Sequence, residues 1–115
     1  MVKVAFEEKE GKLTLKIDGH AGQADTGHDI VCSSCSILAY TVAQLVMNAK
    51  GMEELNSPPE VKLEVGGGVV SCEPKAEAYG ALKSAYLFAE VGYNLLAHNF
   101  PQFVELKTFG QPSEA

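Results

Sequence analysis

Between Gly19 and Ser36 the chain gathers most of its chemically versatile side chains: His20, Asp25, His28, Asp29, Cys32 and Cys35. A thiol and an imidazole make a nucleophile–base pair, because the imidazole takes the thiol proton and later returns it to a leaving amine. His20 follows an apolar–polar alternation and Cys32 opens a long apolar run. The spacing therefore predicts His20 just past a strand and Cys32 at the start of a buried helix. A thiol at a helix start meets unpaired N–H groups and the positive end of the helix dipole, and both favour the thiolate. The same N–H groups would hold the oxyanion of a tetrahedral intermediate. Asp29 is the carboxylate placed to orient an imidazole or to cap the helix. The segment Ala21, Gly22, Gln23, Ala24, Asp25, Thr26, Gly27 and His28 reads as a loop. Its glycines would let it fold over a substrate and reopen.

Other readings use the same residues. Cys32-x-x-Cys35 at a helix start is also the pattern of a thiol redox motif, although that motif usually follows a strand directly in a βαβ unit. His20, His28, Cys32 and Cys35 together could ligate zinc, at a spacing unusual for such sites. The plain alternative is a small buried cysteine and a polar loop histidine. Cys72 falls in an alternating apolar segment and reads as core. His98 reads as a cation near a helix C-terminus. Tyr79, Tyr86 and Tyr93, seven residues apart, read as a packing or dimer stripe, and Lys3, Lys16, Lys62 and Glu64 as a solvated strand face.

The elements that must position these groups follow from periodicity. Val2, Val4 and Phe6, then Leu13, Leu15 and Ile17, alternate with polar residues and predict two strands joined by a turn at Glu8–Gly11. A helix is expected from Cys32 to about Lys50, stopped by Gly51. A third strand follows at Val61–Val65, the glycines 66–68 turn into a fourth at Val69–Glu73, and a second helix starts at Pro74 and ends near Asn99. A short strand around Phe103–Leu106 closes the order. Strand, strand, helix, strand, strand, helix, strand predicts an α+β two-layer sandwich, with a mostly antiparallel sheet and both helices on one face. One domain over residues 1–109 is expected, with a loose tail at 110–115. The uncovered sheet face suggests a homodimer.

Composition narrows the class. The 115 residues carry a net charge of -6, are 46% hydrophobic and 21% charged, and include nine lysines and no arginine. Lacking arginine, the usual bidentate reader of phosphate, an acidic chain is a poor nucleic-acid partner. Three cysteines make no disulfide framework and suggest a reducing cytoplasmic setting. The first residues, MVKVAFEEKEGK, hold no apolar run of signal-peptide length, and the stretch from Ile37 to Ala49 is too short to span a bilayer. No membrane, metal or cofactor partner is expected.

Gly19-His20-Ala21-Gly22, a glycine-bearing loop, Asp29-Ile30-Val31-Cys32 and Ser36 resemble the ribosomal-processing cysteine protease family, Prp, also called YsxB-like. The resemblance extends over nearly the whole chain. It implies a cysteine endopeptidase with His20 and Cys32 as catalytic dyad and with Gly19, Gly22, Asp29 and Ser36 in supporting positions. It also implies a substrate, a large-subunit ribosomal protein that loses an N-terminal extension, and a homodimeric two-layer sandwich whose loop between histidine and cysteine orders over that substrate. A thiol redox protein and a non-catalytic ribosomal-protein binding module are the alternatives. One departure stands out: the family usually carries small or apolar residues after the cysteine, and this chain has Ser33, Ser34 and a second thiol, Cys35.

Overall fold

The computed structural model describes residues 1–19, 26–64 and 66–111, with the side chains of 26–29 left aside. The elements are β1 (Val2–Lys9), β2 (Lys12–Asp18), α1 (Thr26–Gly51), β3 (Glu60–Glu64), β4 (Gly67–Cys72), α2 (Ala76–Asn99) and β5 (Val104–Lys107). The five strands form one sheet in the order β3-β4-β2-β1-β5. Every pairing is antiparallel except the parallel β1–β5 pair. This is the expected α+β sandwich.

Register explains the two layers. Val61, Val70, Leu15 and Phe6 form one row across the sheet, and Leu63, Gly68, Ile17, Val4 and Leu106 form another. Both rows face the helices, because the buried side chains of both helices join them in a single core. Tyr86 and Tyr93 are fully buried, so the tyrosine stripe packs rather than lying exposed. The Tyr86 hydroxyl donates to the Val70 carbonyl at 3.0 Å, and the Tyr93 hydroxyl donates to the Cys35 carbonyl at 2.8 Å. Cys72 is core, as expected.

The opposite sheet face is polar. Thr14 and Ser71 share a hydrogen bond at 3.1 Å, and Lys16 pairs with Glu7 at 3.0 Å. That face needs no apolar cover, so it supplies no hydrophobic reason for dimerisation. The exposed apolar surface lies instead on the helices: Ile37, Tyr40, Leu87, Phe88, Val91 and Leu95 are all exposed.

Several boundaries move, each for a physical reason. The first hairpin turns on Glu10 and Gly11 alone, both at positive φ, so Glu8 and Lys9 extend β1. Two left-handed residues give a turn whose twist matches the strands. Gly67 and Gly68, expected in a turn, pair with Asp18 and Ile17, because the ladder bonds outweigh glycine's turn preference; Val65 lies outside the described residues. Pro74 bridges Leu55 instead of opening α2, which starts after Lys75. Helix α1 ends at Gly51, as expected, but the residue that turns the chain away is Glu53. Glu53 takes the left-handed conformation, and Glu53 and Glu54 donate back to the carbonyls of Lys50 and Ala49 at 3.1 and 2.9 Å. This is a Schellman closure with glutamate where glycine is usual.

The most consequential shift is at the other end of α1. The helix begins at Thr26, six residues before Cys32, so Thr26, Gly27 and His28 are helical where a loop was expected. A single glycine, Gly27, weakens a helix without ending it, and an acidic residue in the first turn favours one. From Ile30 to Gly51 the helix is also long and apolar enough, by length and composition, to cross a bilayer, longer than the stretch delimited above. Its stripe of Val31, Cys35, Ala39, Val42, Val46 and Ala49 is buried in the core, which makes it the central helix of the sandwich.

Helix α2 is tied to β1 by Glu8, which accepts from Lys83 Nζ at 2.5 Å and from the Tyr79 hydroxyl at 2.7 Å. Those bonds, Lys83 first, hold the Glu8 carboxyl below its ordinary value of 4.5. A carboxylate so depressed stabilises the fold fully above about 4.5, and that contribution is lost as pH falls through the folded value. The stability difference between wild type and Glu8→Gln should therefore shrink on acidification from pH 6 to pH 3, measured by urea unfolding. A difference that stays constant over this range would contradict the assignment.

Candidate active site

The N-terminal half of α1 and one end of the sheet enclose a cleft of about 260 Å³. Helix α1 contributes Cys32, Cys35, Ser36, Ala39 and Tyr40, while the sheet end contributes Ile17, Gly19, Leu63, Glu64, Gly66 and Gly67. The helical repeat makes this wall. Burying Val31, Cys35 and Ala39 sets one row, and Cys32, Ser36 and Tyr40 follow each of them by one residue, on the adjacent row. Of the three free cysteines only Cys32 is exposed.

Gly19 fixes the opposite wall. Its N–H donates to the Gly66 carbonyl at 2.9 Å, tying the end of β2 to the β3–β4 turn. Its φ of 92° is one that side chains rarely adopt, and a Cβ there would run into the Met1 carbonyl. Gly19 is bonded to His20, so the chain enters the histidine directly from the cleft lining.

The sequence candidates are placed as follows. Cys32, Ser36 and Gly19 come together on the cleft. His20, Ala21, Gly22, Gln23, Ala24 and Asp25 lie outside the described residues, so the His20–Cys32 distance and the loop remain expectations. His28 and Asp29 lie in α1, with side chains outside the description. The zinc reading rests on two of these residues, and the described residues hold no group of three metal-ligating side chains.

One expected feature is overturned. With α1 starting at Thr26, the four N–H groups that have no partner inside the helix belong to residues 26–29. The Cys32 N–H lies within the helical ladder, so free helix-start N–H groups do not line the thiol. Ser36, one helical turn after Cys32, and Tyr40 are then the hydroxyl-bearing residues that share the cleft with it. Cys35 is a different kind of thiol: burial, and secondarily the neighbouring Cys32, pushes it up to about 11. It stays protonated at neutral pH, so it is not the thiol that attacks a peptide carbonyl.

Sequence reasoning missed Tyr40, Leu63 and Glu64 as cleft residues. Tyr40 had a signal, since it continues the Cys32–Ser36 spacing by one more helical turn. Glu64 was read as a solvated strand residue; it is exposed and 4.0 Å from Lys62, yet it also lines the cleft as the one charged residue there among those described.

Comparison with known proteins agrees with this geometry. The family model of the cysteine protease Prp matches residues 1–105. Among solved structures, SMU.848 from Streptococcus mutans is similar at 23% identity and a TM-score of 0.67, covering 96% of each chain. The essential ribosomal processing protease Prp from S. aureus, in complex with a substrate peptide, is similar at 19% identity and a TM-score of 0.66, over 94% of this chain and 99% of that one. The same protease with a covalently linked product peptide gives 21% identity and a TM-score of 0.64 over the same shares. No curated protein sequence matches.

Because Gly19 combines a positive φ with a blocked Cβ position, Gly19→Ala should lose roughly 1–3 kcal/mol in urea unfolding. Gly80→Ala, on α2 with open space around it, should gain about 0.5–1 kcal/mol as a contrast. Equal stability of Gly19→Ala and wild type would mean that the cleft wall is not built as described.

Proposed function

This chain belongs to the cysteine protease Prp family, and from that premise we propose that it removes the N-terminal extension of a large-subunit ribosomal protein, with Cys32 as nucleophile and His20 as general base. The observation that carries the proposal is the position of Cys32, the one exposed thiol, on the cleft it shares with Ser36 and Gly19. The substrate class follows the S. aureus relative, a ribosomal processing protease with a bound substrate peptide.

In this reading His20 accepts the Cys32 proton, and the sulfur attacks the carbonyl carbon of the scissile peptide. The Ser36 hydroxyl donates to the oxyanion that forms, the role that the helix-start N–H groups cannot fill. Collapse breaks the C–N bond, and protonated His20 gives its proton to the departing amine. Water, activated by His20, then hydrolyses the thioester. Asp29 supports the imidazole, and the segment after His20 closes over the peptide. A net charge of -6 attracts a basic ribosomal protein and disfavours RNA, which suits processing before assembly, in the cytoplasm.

Incubation with an N-terminally extended ribosomal protein should yield the shortened product. Cys32→Ala and His20→Ala should each lose about 10³-fold or more in rate, since members of one catalytic unit fail singly. N-terminal sequencing of the product identifies the bond. Cleavage by Cys32→Ala at the wild-type rate would defeat the proposal.

The assembly we propose is a homodimer through the outer faces of α1 and α2. Phe88 is 84% exposed there, beside Leu87, Val91 and Leu95, and a contiguous apolar surface of this kind marks an interface. Light scattering should give twice the chain mass for wild type and the single-chain mass for Phe88→Asp, with unchanged far-UV circular dichroism. A wild-type monomer, or a Phe88→Asp dimer, would contradict this.

A further inference from the structure

Cys35 is a cleft thiol that the proposed peptidase chemistry leaves without a task. It stands three positions after Cys32 on α1, lines the same cleft, and is buried where Cys32 is exposed. Both cysteines are free thiols. We propose that Cys32 and Cys35 form a reversible oxidation site, in which Cys35 resolves the oxidised nucleophile as a disulfide.

The oxidant is a peroxide, which reaches Cys32 and not Cys35. Its O–O bond breaks as the Cys32 sulfur takes one oxygen, giving the sulfenic acid and releasing the other oxygen as water or alcohol. The Cys35 thiol then attacks the Cys32 sulfur. The S–S bond forms, the S–O bond breaks, and the hydroxyl leaves as water with the Cys35 proton. Both thiols are oxidised by two electrons in all, and the peroxide is reduced by the same two. A dithiol reductant reverses the step.

Helix geometry says what must move. Residues i and i+3 on a helix hold their Cβ atoms about 5–6 Å apart, and a disulfide needs about 3.5–4.5 Å. One side of the turn must therefore tighten by an ångström or more. Cys35 is the fixed side: its carbonyl accepts from the Tyr93 hydroxyl at 2.8 Å and its side chain is core. Cys32 is the side that shifts, drawn from the cleft surface towards Cys35. Burial keeps Cys35 protonated until it meets the sulfenic acid, so it does not compete for the peroxide. The bond thus blocks the nucleophile and shields it from the irreversible sulfinic acid.

The inference rests on Cys32 being the reactive thiol, and its readout is mass, so it is decided separately from cleavage. The full chain is treated with hydrogen peroxide, quenched with N-ethylmaleimide, cut after lysine and mapped. Ile17–Lys50 carries both thiols, and Cys72 falls in a different peptide. In wild type, Ile17–Lys50 should lose two hydrogens, refuse the maleimide, and regain both reactive thiols after dithiothreitol. In Cys35→Ala the same peptide should instead gain two oxygens that dithiothreitol does not remove. Wild type that gains oxygens at Cys32 without losing hydrogens would overturn the proposal, and this outcome needs no variant to fold.

Discussion

The site depends on one constraint, the rotation of α1 about its own axis. The helix must bury Val31, Cys35 and Ala39 against the sheet, and this choice alone puts Cys32, Ser36 and Tyr40 on the cleft. A turn of one residue would bury the nucleophile and expose its neighbour. Apolar packing sets the rotation, and the Tyr93 hydroxyl pins it by bonding the Cys35 carbonyl, a group in the same turn as the thiol. The Tyr93 ring in turn packs on Phe6 of β1, with ring centres 5.8 Å apart. The thiol's position is therefore transmitted from the sheet through α2, rather than set locally.

How far the chain could be read in advance follows from where local rules act alone. The strands were legible because alternation with one apolar face admits a single register, and the core rows keep it. The cleft residues Cys32, Ser36 and Gly19 were legible from a motif that matches a family. The start of α1 was not. Gly27 and the polar run before Cys32 look like loop by composition, and only the helix that continues through them shows otherwise. The end of α1 at Gly51 was legible, but not that Glu53 closes it in a conformation that favours glycine. The exposed apolar surface of the helices was not legible either, because alternation marks which strand side is buried but says nothing of how wide two helices leave their outer surface.

Charge and burial divide the chemistry among similar groups. Three cysteines share one chain, and packing buries two of them while leaving Cys32 exposed. Around it the described cleft is mostly apolar, with Glu64 at the rim, and this suits a peptide more than a polyanion. In the proposed mechanism, with the helix-start N–H groups away from the thiol, oxyanion binding falls to Ser36.

The most direct test of the central claim is to look for the acyl-enzyme itself. Acid quench during turnover of the extended ribosomal protein, followed by peptide mapping, should find the N-terminal fragment joined as a thioester to Cys32. Product accumulating without any adduct, or an adduct on Cys35 or Cys72, would contradict the account.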